Sequence, residues 1–313
     1  MAATSSGDAA PAAERSSSER GGATLALFVA MRPAQWVKNL VLPLPFLFGA
    51  ALSTARGWWL AAGGFAIFCA VASGVYLIND VMDRERDRAH PVKRRRPLAA
   101  GQLRVSTAVA AAIFLLGSGL AAAFLLSPSF GRWCALYAAL MVSYSLWLKR
   151  IPFVEALIVA AGLPMRALAG AALAGVPASD FLMLCAYCLA LFLVVGKRQW
   201  EMLHAGRFSS SEHRPALASY GAEGLDFLFV LTALTTVAAY AAYSVAPHTI
   251  AFHGRSFLPT VPFVVLGVAR YVRVVYRRGG GGSPTRTLLI DDPWILLIVL
   301  AWVASAGAII YGR

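Results

Sequence analysis

The sequence predicts an all-α polytopic membrane protein with nine transmembrane helices. Three observations carry that prediction. First, the 313 residues are 59% hydrophobic and only 14% charged. Ordinary globular chains run roughly 45–50% apolar and about 25% charged, so a soluble fold of this length would lack the polar surface to cover itself. Second, the apolar residues come in continuous blocks of about 20, the length that crosses the hydrocarbon core as a helix. A β-barrel would need alternating strands of about 10 residues. Third, the basic residues sort by side: 23 of the 28 Lys and Arg fall on one side of the blocks, 4 on the other, and one, Arg166, lies within a block. Cytoplasmic loops collect Lys and Arg, so the asymmetry predicts an N-terminus inside, nine spans and a C-terminus outside, in a plasma membrane. The net charge of +13 is then a topology signal and implies no nucleic-acid partner. A soluble Rossmann or TIM-barrel enzyme, a secreted disulfide scaffold and a disordered chain are all excluded.

Residues 1–22 are Ala, Ser, Gly and mixed charge, and read as a disordered cytoplasmic tail. Residues 23–313 form one transmembrane domain. Its apolar segments are expected near 37–54, 57–78, 105–126, 130–148, 152–174, 180–196, 225–246, 257–276 and 292–311. Pro43 and Pro45 should kink the first. The apolar stretch 24–31 before it suits an interfacial helix or the start of that segment. Outer loops are short, whereas the inner loops 2–3 and 6–7 run to about 26 and 28 residues, and long ordered loops are usually functional. Gly279 to Gly282 read as a flexible tether. Cys69, Cys134, Cys185 and Cys188 all lie in apolar blocks, and read as packing residues.

Loop 2–3 carries the chemistry. Asp80, Asp83 and Asp87 are spaced i, i+3, i+7, and on a helix continuing segment 2 they share one face with Asn79. Carboxylates so placed repel unless a cation sits among them. The all-oxygen ligand set favours Mg²⁺, with Mn²⁺ as the alternative, held chiefly to bind a substrate phosphate. Lys93 to Arg96 follow with four consecutive positive charges, which suit the remaining oxygens of a diphosphate. A solvated, salt-bridged topology anchor is the other reading of such a charge run; the shared face at the membrane border favours a site. Arg166 should face a polar cavity, because a charge in mid-membrane costs at least about 2.5 kcal/mol, or else clamp backbone carbonyls of a neighbouring helix. Lys197, Arg198 and Glu201 end segment 6 at the membrane level of Asp80 and Asp83, as the second half of a donor site. None of the five histidines has a ligand-like partner in the sequence.

The pattern Asn79-Asp80-x-x-Asp83-x-x-x-Asp87 followed by Arg96-Pro97-Leu98 resembles the first aspartate motif of the UbiA-type intramembrane transferases. Arg32-Pro33-x-Gln35-Trp36-x-Lys38-Asn39 and His90-Pro91-x-Lys93-x-x-Arg96-Pro97 resemble the decaprenyl-phosphate phosphoribosyltransferases within that superfamily. So do Tyr144-Ser145-x-x-Leu148-Lys149, Gly162-x-x-x-Arg166-x-x-x-Gly170 and Gly196-Lys197-Arg198-x-x-Glu201. The resemblance covers roughly residues 30–225. It departs at Glu155, where the family often has Asp, and at Leu163, where it often has an aromatic.

The resemblance implies a nine-helix UbiA-type bundle with a cytoplasm-facing polar cavity and a Mg²⁺–diphosphate site. Asp80 and Asp83 would be catalytic, holding the metal with Asp87. Lys38, Asn79, Lys93, Arg96, Tyr144, Arg166, Lys197, Arg198 and Glu201 would bind substrates. The implied reaction moves a 5-phosphoribosyl group from phosphoribosyl diphosphate to a polyprenyl (decaprenyl) phosphate, releasing diphosphate, in supply of cell-wall arabinan precursors. Membrane lipids are further partners, and a homo-oligomer is compatible with the reading. A prenyltransferase joining a prenyl diphosphate to an aromatic acceptor stands as the alternative, and a transporter as the rival of another class. Replacement of a second aspartate motif by Lys197-Arg198-x-x-Glu201 favours a donor bearing an extra phosphate.

Overall fold

The structure, a computed structural model, describes residues 22–48, 54–151, 153–203, 221–253, 256–277, 284–287 and 291–311. Within them the chain is helical and has no strand. A short helix α1 (22–30) leads into a 3-10 stretch, Pro33–Val41, and a five-residue helix α2 (Leu44–Phe48). Then come α3 (Ala55–Met82), α4 (Arg84–Ala89), α5 (Val105–Leu126), α6 (Pro128–Leu146) and α7 (Val154–Ala174). The second half contains α8 (Asp180–Leu203), α9 (Ala222–Val245), α10 (Pro247–His253), α11 (Val261–Tyr276) and α12 (Pro293–Tyr311).

Six of these helices are long and apolar enough to cross a membrane: α3, α5, α7, α8, α9 and the stretch Leu258–Tyr276 that contains α11. Within α12 the apolar stretch Pro293–Ile309 is shorter. Helix α6 has 19 residues, but Arg132, Ser143, Tyr144 and Ser145 dilute its apolar character. The first expected segment, 37–54, is not one straight span. Pro43 and Pro45 supply no amide hydrogen and fix their own φ, and the chain passes from 3-10 to α geometry across Leu42 and Pro43. Caps stop or start helices where the sequence provides them. The Ser127 hydroxyl accepts from the Phe130 amide at the start of α6, with Pro128 in its first turn. Gly175, at φ 69°, ends α7 in the left-handed conformation that glycine adopts without strain.

The helices pack in chain order. Helix α3 touches α5, α6 and α7; α7 touches α8; α8 touches α9 and α11; and α11 touches α12. Residues Pro284–Arg286 return to contact the Pro33–Val41 stretch, so the last loop meets the first segment. One core lies among α3, α6 and α7, built on Phe68, Phe130, Tyr137 and Leu173. A second lies among α8, α9 and α11, built on Phe192, Phe229 and Tyr271. Lipid is as apolar as these side chains, so helix association relies on close packing at small residues. Gly74 of α3 faces Leu116 of α5, and Gly196 of α8 faces Phe229 and Tyr271. The tightest approach is at Gly170 of α7, where a Cβ would stand 2.0 Å from the Leu42 carbonyl oxygen. That contact seats the first segment against α7.

Gly170→Ala should therefore lower the melting temperature in detergent sharply, because the obstruction is backbone and cannot rotate away. Gly117→Ala on α5, where a Cβ meets nothing within 4 Å, should leave it unchanged.

Candidate functional site

The expected continuous aspartate face does not form. Helix α3 ends at Met82, and Asp83 (φ −97°, ψ 2°) leaves helical geometry before α4 begins. The break separates the three carboxylates into two settings. Asp80 is buried and meets Arg32 and, at 3.2 Å, Arg96. Asp87, also buried, meets the same Arg96 Nη1 at 2.6 Å. Asp83 instead accepts from Lys149 Nζ at 2.7 Å, across from the end of α6, with Arg86 at 3.9 Å. Among the described residues no three acidic, His or Cys side chains converge as a ready metal cage. Asp80 and Asp87 still lie close together across one guanidinium. That is the donor set a hard cation uses when substrate phosphates complete its shell.

The turn after α4 is built by its own side chains. His90 Nδ1 accepts from the amides of Val92 and Lys93 at 3.2 and 3.3 Å. This explains the His90-Pro91-x-Lys93 spacing: the imidazole caps the turn that presents Lys93. Burial pushes the Lys93 ammonium below the ordinary lysine pKa, an effect opposed by Asp87, Glu201 and Asp83. Arg32 also has an unusual backbone, left-handed at φ 58°. A non-glycine residue rarely sits there, and the turn carries the chain from α1 into the 3-10 stretch with Arg32 on Asp80 and over the Tyr76 ring.

The second half of the site lies on α7 and α8. Arg198 grips Glu155 through two parallel bonds of 2.7 Å and reaches Glu201 at 2.9 Å. Its side chain is 7% exposed and that of Glu155 5%, so the pair must be matched to be buried at all. Half-buried Tyr144 lies within electrostatic reach of Glu155, Arg198, Asp83 and Glu201. Lys197 is within reach of Glu201, Arg198, Lys38 and Lys93. Lys38, Lys93 and Lys197, from three separate elements, thus gather between the aspartates and α8. Among the described residues none of the three has an ion pair or side-chain hydrogen bond. The Asn79 side chain near the end of α3 has none either among the described residues.

Similarity to known proteins follows this geometry. The model of the UbiA prenyltransferase family matches residues 42–290. The chain belongs to the UbiA prenyltransferase family. Within it, this member groups with the decaprenyl-phosphate phosphoribosyltransferases. The curated protein of that name from Corynebacterium glutamicum is 35% identical over 90% of this chain and 86% of its own length. The one from Mycobacterium tuberculosis is 34% identical over 89% and 92%. The fold is that of a UbiA homolog from Archaeoglobus fulgidus whose structure holds GPP and Mg²⁺, with a TM-score of 0.68 at 20% identity over 91% of this chain and 99% of that one.

Two residues expected as substrate ligands in this UbiA member have other employment. Arg166 donates to the Asn39 side chain at 2.7 Å, the Tyr137 hydroxyl at 2.8 Å and the Gly162 carbonyl, and lies over the Phe68 and Tyr137 rings. It is a clamp joining the first segment to α3, α6 and α7. Arg198 is likewise committed to Glu155 and Glu201. Glu155 therefore serves Arg198. Lys149 and Arg32, the partners of Asp83 and Asp80, were not among the expected site residues; each is a basic residue at the end of an apolar block, which was the available signal. Arg207 and Arg214 of loop 6–7 lie outside the described residues.

Clamp and ligand roles separate by stability. Removing one partner of a buried pair typically costs roughly 3–5 kcal/mol, so Glu155→Gln should lower thermal stability in detergent, softened by Glu201. Lys197→Gln should not.

Proposed function

We propose that this protein transfers the 5-phosphoribosyl group of phosphoribosyl diphosphate to decaprenyl phosphate, releasing diphosphate. The observation that carries the reading is the trio of ammonium groups without an ion pair, Lys38, Lys93 and Lys197, with Lys93 within reach of Asp87 and Asp83. Three amines brought to one place repel one another as cations, and a polyanion bound between them would favour the charged form of each. Phosphoribosyl diphosphate carries phosphate at both ends of a small sugar, which matches cations drawn from three elements. The relatives named as decaprenyl-phosphate phosphoribosyltransferases support the same substrates. The alternative, a prenyl diphosphate donor, would leave a cation without a partner.

We infer nine membrane crossings around a cavity open to the cytoplasm, with residues 23–313 as one catalytic domain, residues 1–22 as a cytoplasmic tail and the C-terminus outside. The count of basic residues supports that orientation. Asp80 and Asp87, with Asp83 one turn away, are the residues that would hold Mg²⁺ or Mn²⁺. A divalent cation bound there neutralises charge on the departing diphosphate. Lys93 and Arg96 hold diphosphate oxygens from the loop side, and Lys38 and Lys197 hold the donor from the membrane side. Asn79 and Tyr144 supply uncharged polar contacts, and Glu201 orients Arg198 at the rim. The C1–oxygen bond to diphosphate breaks, with the electron pair leaving on diphosphate. A lipid phosphate oxygen forms the new C1–oxygen bond from the opposite face. A phosphate monoester with a second pKa of about 6 is already anionic at neutral pH, so no general base is needed. The lysines hold two anionic substrates together that would otherwise repel.

A charge-assisted contact to phosphate is worth about 1.5–3 kcal/mol, or roughly 10- to 100-fold in affinity. Lys197→Gln should raise the apparent donor constant by about that factor and disturb the acceptor constant less. The deciding measurement is direct binding of both donors to wild-type protein with Mg²⁺. If millimolar phosphoribosyl diphosphate fails to bind while a prenyl diphosphate saturates, the reading is wrong. Activity should disappear in EDTA and return with Mg²⁺ or Mn²⁺.

The depressed pKa of Lys93 gives a pH signature. Its charge is present at low pH and is lost as pH rises through a value below that of a solvated lysine, so kcat/KM should fall on the alkaline side. Lys93→Arg keeps the charge and should remove the share of that fall that Lys93 contributes.

A further inference from the structure

A second feature adjoins the donor site and is not consumed by it. Between α1, the Arg32 to Gln35 turn and the loop 2–3 turn lies a cavity of about 540 Å³. Its wall is of mixed character. Phe28 and Val29 of α1, with Pro33 and Val92, contribute apolar surface. Lys93, Arg95, Arg96 and Asp80 contribute charge. Helix α1 is arranged to expose this wall. Ala26 and Ala30 turn inward onto the cluster of Leu77, Leu98 and Leu103. Leu25, Phe28 and Val29 stay 50–64% exposed. An apolar helix face beside a cationic turn, placed ahead of the first membrane segment, lies where acyl chains meet headgroups.

Arg95 is the unused charge. Its neighbour Arg96 is engaged by Asp80 and Asp87. Arg95 is exposed, lines the cavity, and has no ion pair or side-chain hydrogen bond among the described residues. The sugar donor is polar throughout and has no use for a wall of Phe and Val. A polyprenyl phosphate has one charged end and an otherwise apolar body, and this groove offers both kinds of surface.

Resting on the transferase reading above, the geometry points to this groove as the docking site of the polyprenyl phosphate acceptor, its phosphate against Arg95 and its first isoprene units along Phe28 and Val29. Asp80, Lys93 and Arg96 belong to both compartments, so an acceptor phosphate at Arg95 stands next to the donor rather than behind it. The lipid slides in from the headgroup layer, and its tail stays in the bilayer.

The test is equilibrium binding of radiolabelled decaprenyl phosphate to the full-length protein in nanodiscs, with no donor present. Wild type is compared with Arg95→Gln and with the double variant Phe28→Ser, Val29→Ser. Both sites are exposed, so folding should survive, and binding of phosphoribosyl diphosphate with Mg²⁺ reports an intact donor site. The groove predicts about tenfold or greater weakening of lipid binding in each variant, with donor binding unchanged. Wild-type lipid binding in both variants overturns it. Equal weakening of donor and lipid also overturns it, because the groove would then be part of the donor cradle. Displacement of the lipid by an equal mole fraction of phosphatidylglycerol would make it a general anionic-headgroup contact and overturn it too. If wild type binds the lipid as predicted but cannot bind phosphoribosyl diphosphate, the transferase reading fails and the groove stands.

Discussion

The structure depends on the expense of placing charge in a mostly apolar bundle. A guanidinium far from water must be met by protein partners or drawn toward a polar cavity. Arg166 shows the first solution in full. It ties Asn39 of the first segment, Tyr137 of α6 and its own helix at Gly162 into one joint, flanked by two aromatic rings. Arg198 does the same between α7 and α8 through Glu155. These two arginines fix two of the three elements that present the lysines of the site, the first segment and α8. Against that background Lys38, Lys93 and Lys197 stand out, because the fold supplies partners for these two arginines and leaves the three amines open.

The same principle divides the aspartates. Asp80 and Asp87 share Arg96, and Asp83 is held by Lys149 from the end of α6. The break at Asp83 is therefore not a defect in a helix. It lets neighbouring carboxylates face different cations, and so joins the loop to two other parts of the bundle. Arg and Lys are unequal in these roles. A rigid fork suits the permanent joints, whereas a flexible point charge suits an arriving phosphate.

Much of the fold was legible because membrane helices announce themselves by apolar length. The block 105–126 coincides with α5, and the bounds of α7 and α11 differ from expectation by a few residues at their starts. The first segment was harder to read: hydropathy runs smoothly across Pro43 and Pro45, while the backbone changes from 3-10 to α there. The site residues were legible as a set, since charges at the edges of apolar blocks have few bland explanations. Their partners were not. Spacing on an ideal helix put Asp80, Asp83 and Asp87 on one face, and a single non-helical residue undid that. Arg198 takes the Glu201 carboxylate at i, i+3 while it is anchored by Glu155. Partners 43 or 127 positions away along the chain leave no local trace.

The close approach of Gly170 to Leu42 has a mechanical meaning. Backbone against backbone leaves no side chain to give way, so the first segment and α7 behave as one beam. Lys38 is fastened to one side of that beam, and Lys197 hangs from it through Glu155 and Arg198. Their separation is thus set by the scaffold and is insensitive to side-chain repacking nearby. Lys93 rests on a turn capped by a single imidazole. A change in donor size would therefore be absorbed on the loop side, as a gauge with a rigid frame adjusts only at its one sliding arm.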